Sequence, residues 1–447
     1  MRPLRKPIHT ALAGAAVLSL ALVGCSSGGD KATEDGEAAA TDSTDTSTED
    51  AEFVFLHRMP NREGAKTVDE LIEEFNDSHP GITVVGETMQ GSAPESYPKI
   101  RSIVEAGQDV PCVAQLGSER LPDMLDTLED VTEYVTLYQD NFLPAFYDKG
   151  RVGDSWYGLP MGASPIVLYY RADLFEEYGL ELPTTWDEYM EQAAVVKELA
   201  GDGVYMGSFL TDEPMWLSAL TTSEGADWFG FDPADQAWSV DIESPDTSKV
   251  AALWQELIDD GDVIATPRWG DDYVRFLSDG TLVTHIGAPW ESTMFMNEVP
   301  DAAGMWKVAQ IPHIDASGTL VGQNGGSVAA VLKGCEYPAQ ATEFINWWST
   351  NVEGLTGLGL LPASKVESIP TPEDLKEYFS GQDIYEEYVK ANDNAPVVTW
   401  APMISDVISA ISDQQAQVLS GASVEEIFVV GQQKAVETLE SAGATVK

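Results

Sequence analysis

The sequence predicts an α/β fold divided between two lobes, each a mostly parallel sheet flanked by helices. Three observations carry this. Apolar runs of strand length alternate with amphipathic stretches of helical period, the pattern of βαβ units. With an amino-terminal leader and a polar tether set aside, about 395 of the 447 residues remain, more than the ~250–300 at which single cores stop growing. Finally, a glycine-containing segment from Gly158 to Ser164 leads into an apolar run, 165–170. That run is too short for a globular helix and, with its Ile, Val and Tyr, suits a buried strand.

Residues 1–24 read as a signal peptide. Arg2, Arg5 and Lys6 give a positive start, and the apolar stretch 11–23 is short for a membrane span. It ends in Leu22-Val23-Gly24-Cys25, which resembles the bacterial lipobox and implies lipidation of Cys25 with cleavage before it. Several acyl chains on one residue hold a protein at a membrane where a single chain binds marginally. The tether, 25–52, is nearly all Ser, Gly, Thr, Ala, Asp and Glu up to Asp50. It has little to bury and is expected to be disordered.

The body opens with a strand at 53–56. Thr67 and Glu70 form a capping box, and Val68, Leu71, Ile72 and Phe75 give the inward stripe of a helix. A strand at 82–85 completes a parallel βαβ unit, followed by a helix at 97–106 and a strand at 110–115. After the 165–170 strand, Arg171 and Asp173 open a helical turn that Gly179 closes. Thr185 and Glu188 cap the next helix, whose apolar face starts with Trp186 and Met190. Val250, Leu253, Trp254, Leu257 and Ile258 line another helix, stopped by Gly261. Strands follow at 281–286, 306–311 and 327–332, then a helix at 338–350. Two long helices, 403–420 and 423–442, close the chain, the second with a capping box of Ser423 and Glu426.

The wording of one stretch is specific. YYRADLFEEYGLELPTTWDEY, 169–189, resembles the segment after the first interdomain crossover in the extracellular sugar-binding proteins of ABC importers, the family that includes maltose-binding protein. HPGITV before it, and GAPW, NGGS and PAQATEFINWW after it, keep that family's order. The resemblance implies a two-lobed periplasmic-binding-protein-like fold of type II joined by several hinge crossings. Lobe I is then 53–163 with 319–364, and lobe II is 164–318 with 365–447. It also puts Cys112 and Cys335 in one lobe, where export to an oxidising compartment permits a disulfide between them; two buried free thiols are the alternative.

Net charge is −50, from 74 acidic and 24 basic residues. That excludes a general nucleic-acid binder and argues against adhesion to anionic lipid, leaving membrane contact to the lipid anchor. The acidity is spread along the chain and reads as solvated surface.

A sugar needs aromatic platforms for its flat faces and amides or carboxylates for its hydroxyls. Of 12 tryptophans, Trp216, Trp269, Trp290 and Trp400 stand beside turn residues and are candidates for stacking, with loop packing as the alternative. Trp254 and Trp348 sit in helical stripes and belong to the core. Polar candidates are His57, Arg58, Gln90, Gln115, Asp271, Glu291 and Asn324; Arg58 serves equally well as an interlobe ion-pair residue. No nucleophile elbow, P-loop or metalloprotease motif occurs, His285 lies in an apolar strand, and no metal spacing is present. The expectation is a non-catalytic, cofactor-free, monomeric lipoprotein on the extracytoplasmic face of the membrane. It would capture a sugar, an oligosaccharide by preference, in an interlobe cleft and deliver it to the permease subunits of an ABC importer. A carbohydrate-active hydrolase and a surface-adhesion lipoprotein without small-molecule ligand are the competing classes.

Overall fold

The computed structural model describes residues 50–59, 66–90, 93–268, 270–366 and 368–447, with the side chains of 93 and 94 left aside. The leader, Cys25, most of the tether and Trp269 lie outside the described residues.

Local chemistry sets the first unit. Thr67 Oγ1 accepts the Glu70 N–H at 3.2 Å while the Glu70 carboxylate accepts the Thr67 N–H at 2.8 Å, so both orphan donors at this helix start are satisfied. The helix Val68–Ser78 then buries Val68, Leu71, Ile72 and Phe75 and links the parallel strands Ala51–His57 and Ile82–Thr88. A similar box, Thr185 with Glu188, starts the helix Trp186–Ala200. At Ser423 only one half of the expected box forms: its side chain accepts the Glu426 N–H at the head of Val424–Ser441. The other long helix is shorter than expected, Ile404–Ala416, with a 3-10 turn over Gln417–Ser420.

The first sheet has five strands in the order Ile82–Thr88, Ala51–His57, Val113–Gly117, Ser327–Val331, Gly158–Pro160. Its first three run parallel, as the sequence predicts. The strand Ser327–Val331 runs antiparallel to both of its neighbours. The reason is topological: the earlier strands leave the sheet at one end, and the chain returning from the second sheet re-enters at that end, so it must run the opposite way. Alternate residues face opposite sides. Phe53, Phe55, Val113, Ala329 and Val331 pack in one apolar cluster, and Leu56, Ala114, Leu116, Val328 and Ala330 in another.

The second sheet is less parallel than expected. Val167–Arg171 lies between Thr284–Gly287 and Trp306–Ala309, antiparallel to both. A parallel bridge from Tyr205 to Leu282 connects it to the parallel pair Gly207–Leu210 and Val263–Thr266. Its core, which includes Tyr169, Trp216, Trp254, Phe295 and Trp306, extends to the carboxy-terminal helices through Ile404 and Ile427. Stretches of chain connecting the two sheets run side by side, bridged at Ala163 with Leu361 and at Pro165 with Gln323.

Cys112 and Cys335 are joined in a disulfide, their Cα atoms 4.5 Å apart. They flank the adjacent strands Val113–Gly117 and Ser327–Val331, and the Leu332 N–H donates to the Cys112 carbonyl at 2.9 Å. Such a crosslink contributes about 2–4 kcal/mol, chiefly by restricting the unfolded chain.

Candidate functional site

A cavity of about 480 Å³ opens between elements of the two sheets. Ser118, just past the end of the Val113–Gly117 strand, and the turn Asp148–Gly150 line it from one side. Met215 and Ser218 from the helix Pro214–Ser223 line it from the other, with Gln323 and Gly325 of the glycine loop between. Strands that end together deliver loops to one edge, which is where open α/β sheets bind ligands.

The aromatic lining is threefold. Trp400 is partly exposed and lines the cavity. Phe231 and Trp238 face each other across the hairpin of Phe229–Asp232 with Ala237–Val240, ring centroids 5.0 Å apart. Phe231 is 43% exposed, unusual for so large an apolar ring. Together these rings offer flat apolar surface of the kind sugar faces rest on.

Two further predicted residues stand behind the glycine loop without lining the cavity themselves. Trp290 is partly exposed, and its indole N–H donates to the Asn324 carbonyl at 3.1 Å. A Cβ placed on Gly325, which lines the cavity, would come 3.8 Å from that indole nitrogen. Asn324 itself is buried, its backbone N–H bonded to the Ser164 carbonyl.

Other expectations are corrected. Trp216 is not a loop residue: Pro214 begins a helix, and Trp216 points from it into the core. It is 1% exposed, with its indole N–H bound to the Ile286 carbonyl at 3.0 Å and its ring 5.0 Å from that of Trp254. Glu291 is likewise 1% exposed. Its carboxylate accepts from the Arg268 guanidinium, from His285 Nε2 at 2.7 Å and from the Ala288 N–H at 2.9 Å. His285 Nδ1 in turn accepts the Tyr273 hydroxyl at 2.7 Å, as expected of a core histidine whose partners are internal. Burial would raise the Glu291 carboxyl, but Arg268 and then His285 outweigh it and hold the group at about 2. For His285, burial lowers the imidazole below its ordinary value, so it is neutral near pH 7.

His57 is 2% exposed and packs against Phe55, and burial pushes its pKa down. Arg58 and Gln115 are engaged with each other: the Arg58 N–H donates to Gln115 Oε1 at 2.9 Å, and the guanidinium to the Gln115 carbonyl at 3.1 Å. Gln115 Nε2 donates onward to Ser327 Oγ at 3.1 Å. These bonds link the ends of the neighbouring strands Ala51–His57, Val113–Gly117 and Ser327–Val331. Gln90 is exposed, and Asp271 is exposed in the first turn of the helix Asp271–Asp279. Neither of them lines the cavity.

Sequence reasoning missed Lys149, Met215 and the Phe231–Trp238 pair. The two rings had a legible signal, since Asp232-Pro233-Ala234-Asp235 between strand-like runs is a turn. Lys149, in a charged stretch before a glycine, had none. Among the described residues, no group of His, Cys, Asp and Glu is arranged to hold a metal ion.

Known proteins share this fold. The chain is 22% identical over 282 residues to an arabinooligosaccharide-binding protein of Halalkalibacterium halodurans, covering 61% of each chain. It thus spans about three fifths of that relative's length. Among solved structures, it resembles the galacto-N-biose-/lacto-N-biose I-binding protein of an ABC transporter from Bifidobacterium longum, determined with lacto-N-biose. The TM-score is 0.83 at 32% identity, over 90% of this chain and 100% of that one. An ABC transporter-associated binding protein from B. animalis subsp. lactis, bound to beta-1,6-galactobiose, shares the fold with a TM-score of 0.75 at 23% identity, over 89% of this chain and 99% of that one. The family model for bacterial extracellular solute-binding proteins matches residues 60–353. With that match over most of its length, and with two lobes that meet at an aromatic-lined cavity, the chain belongs to the bacterial extracellular solute-binding protein family.

Proposed function

We propose that this protein captures an oligosaccharide in the cavity between its lobes and hands it to the permease of an ABC importer. The observation that carries the reading is the lining: Trp400 and the Phe231–Trp238 pair present apolar ring faces in a cavity of about 480 Å³ that also holds Ser118, Asp148 and Gln323. That mixture suits a ligand with flat faces and hydroxyl edges. The names of the relatives, an arabinooligosaccharide-binding protein and a lacto-N-biose complex, support the same ligand class.

Lobe I is 53–163 with 319–364, and lobe II is 164–318 with 365–447. The bridges at Ala163–Leu361 and Pro165–Gln323 support hinges at those boundaries. Ligand held by both lobes favours the closed form, because only contacts that differ between the open and closed states shift their balance. The protein binds without cleaving. Cys25, at the end of the lipobox-like run, anchors it by lipid to the extracytoplasmic membrane face; a mature chain whose mass shows no acyl groups would exclude that anchor. It works as a monomer.

Calorimetric titration against a panel of mono- and oligosaccharides is the test, with product analysis after incubation. Wild type is expected to bind at least one saccharide and leave it intact. Trp400→Ala should bind that saccharide about tenfold or more weakly, since stacking on one ring is worth ~1–3 kcal/mol in comparable base–aromatic cases. No binding across the panel, or cleavage of a saccharide, overturns the reading.

A further inference from the structure

Two of the residues that line the cavity hold buried hydrogen-bond donors without acceptors. Lys149 stands in the Asp148–Gly150 turn, and its ammonium lies 5.0 Å over the Phe146 ring. Its Nζ is buried and has no hydrogen-bond partner. Gln323 lines the same cavity. Its Oε1 is committed to the Ser164 N–H at 2.7 Å, which leaves Nε2 buried and likewise without a partner.

The glycine loop is shaped around the lysine head. Gly326 has a φ of +95°, and a Cβ there would come within 2.6 Å of Lys149 Nζ. Of the other charged residues lining the cavity, Asp148 and Arg151 pair with each other at 3.0 Å. Glu119 supplies the opposing charge that Lys149 feels, but its carboxylate lies 3.5 Å from Arg120 and makes no hydrogen bond to the lysine. Burial lowers the Lys149 pKa to about 8, as expected of an ammonium stripped of water and short of acceptors.

An ammonium offers three donors and a side-chain amide nitrogen two, and neither accepts in return. A sugar hydroxyl placed between them could accept, but its own O–H would find no acceptor from either. A carbonyl or carboxylate oxygen has two lone pairs and nothing to donate. We propose that Lys149 Nζ and Gln323 Nε2 form a specificity pocket for an acceptor-only oxygen on the saccharide, either the acetamido carbonyl of an N-acetylated sugar or the carboxylate of a uronic acid. The proposal deepens the reading of the cavity as a saccharide site and rests on it.

The experiment is titration calorimetry of the purified mature chain with N-acetyllactosamine, lactose and digalacturonate. Wild type is expected to bind N-acetyllactosamine or digalacturonate about tenfold or more tightly than lactose, the scale of a hydrogen bond from a charged donor. The preferred probe identifies which oxygen the pocket reads. In Lys149→Met the ratio of the two affinities should collapse toward one. Gln323→Glu, which keeps the acceptor for Ser164 and removes the donor, should reduce the ratio too and carries the test if the first variant fails to fold. Wild type that binds lactose or other hydroxyl-only sugars as well as the substituted probes overturns this proposal alone, as does a ratio that survives both substitutions. Absence of binding to any saccharide overturns the parent reading with it.

Discussion

Glu291 follows Trp290 in the chain, yet its carboxylate turns away from the cavity and closes a buried network with Arg268, His285 and Tyr273. Its pKa near 2 lies below the ordinary 4.5. A depressed carboxylate contributes stability that is present above pH 4.5 and lost as pH falls toward 2. His285 is depressed as well, so its contribution starts to fall below about pH 6.5, where the unfolded chain takes up the proton first. Glu291→Gln removes the larger of the two carboxylate charges acting on buried Arg268, the other being Glu213, and breaking this buried pair is expected to cost about 3–5 kcal/mol at pH 7. The gap from wild type should narrow between pH 4.5 and 2, as the unfolded chain's carboxylate takes up a proton that the native one does not yet bind. Denaturant unfolding at pH 7 and pH 3.5 checks this, and an equal gap at both values would refute it. From sequence, Glu291 looked like a ligand contact because nothing local shows which way a side chain turns. Arg268 and His285 lie 23 and 6 residues away, and only the fold brings them to it.

Among the elements, the helix Ile404–Ala416 begins in an unusual way. Met403, before its first turn, has a left-handed φ of 64°, a conformation unfavourable for a residue with a Cβ. The helix start is capped by a residue from the other half of the molecule. Asp123, in the short helix Leu121–Met124 beyond the Val113–Gly117 strand, accepts from the Ser405 N–H at 2.9 Å and from the Ser405 hydroxyl. Leu121 and Met124 belong to the core of the first sheet and Ile404 to that of the second, so the cap ties the two halves beside the cavity. A carboxylate at a helix N-terminus is favourable through both hydrogen bonds and the helix dipole. If closure brings Asp123 to this helix, Asp123→Ala should weaken saccharide binding about 2- to 30-fold, the equivalent of ~0.5–2 kcal/mol for a lost cap. Titration calorimetry reads this directly, and unchanged affinity would show the contact to be independent of closure. Capping boxes at Thr67 and Thr185 were legible in the sequence because donor and acceptor lie three residues apart. The cap at Ser405 was not, since its partner is 282 residues away.

At the scale of the molecule, the two-lobed α/β plan could be read from length and alternation, because core size and strand–helix order are properties of the chain as a whole. Strand direction could not. Ser327–Val331 and Val167–Arg171 have the same apolar texture whether they pair parallel or antiparallel, and the hinge crossings decide from which end each is entered. The candidate site was legible in kind, as tryptophans near turns, but only in part by residue: Trp400 lines the cavity, Trp216 is core, and Lys149 was invisible. The bond between Cys112 and Cys335 encloses nearly all of the chain from the first sheet's third strand through the second sheet and back. A protease that nicks any surface loop within those 223 residues of separation therefore yields fragments that stay covalently attached. On a gel run without thiol such a digest migrates as one band, and it falls into pieces only when dithiothreitol is added.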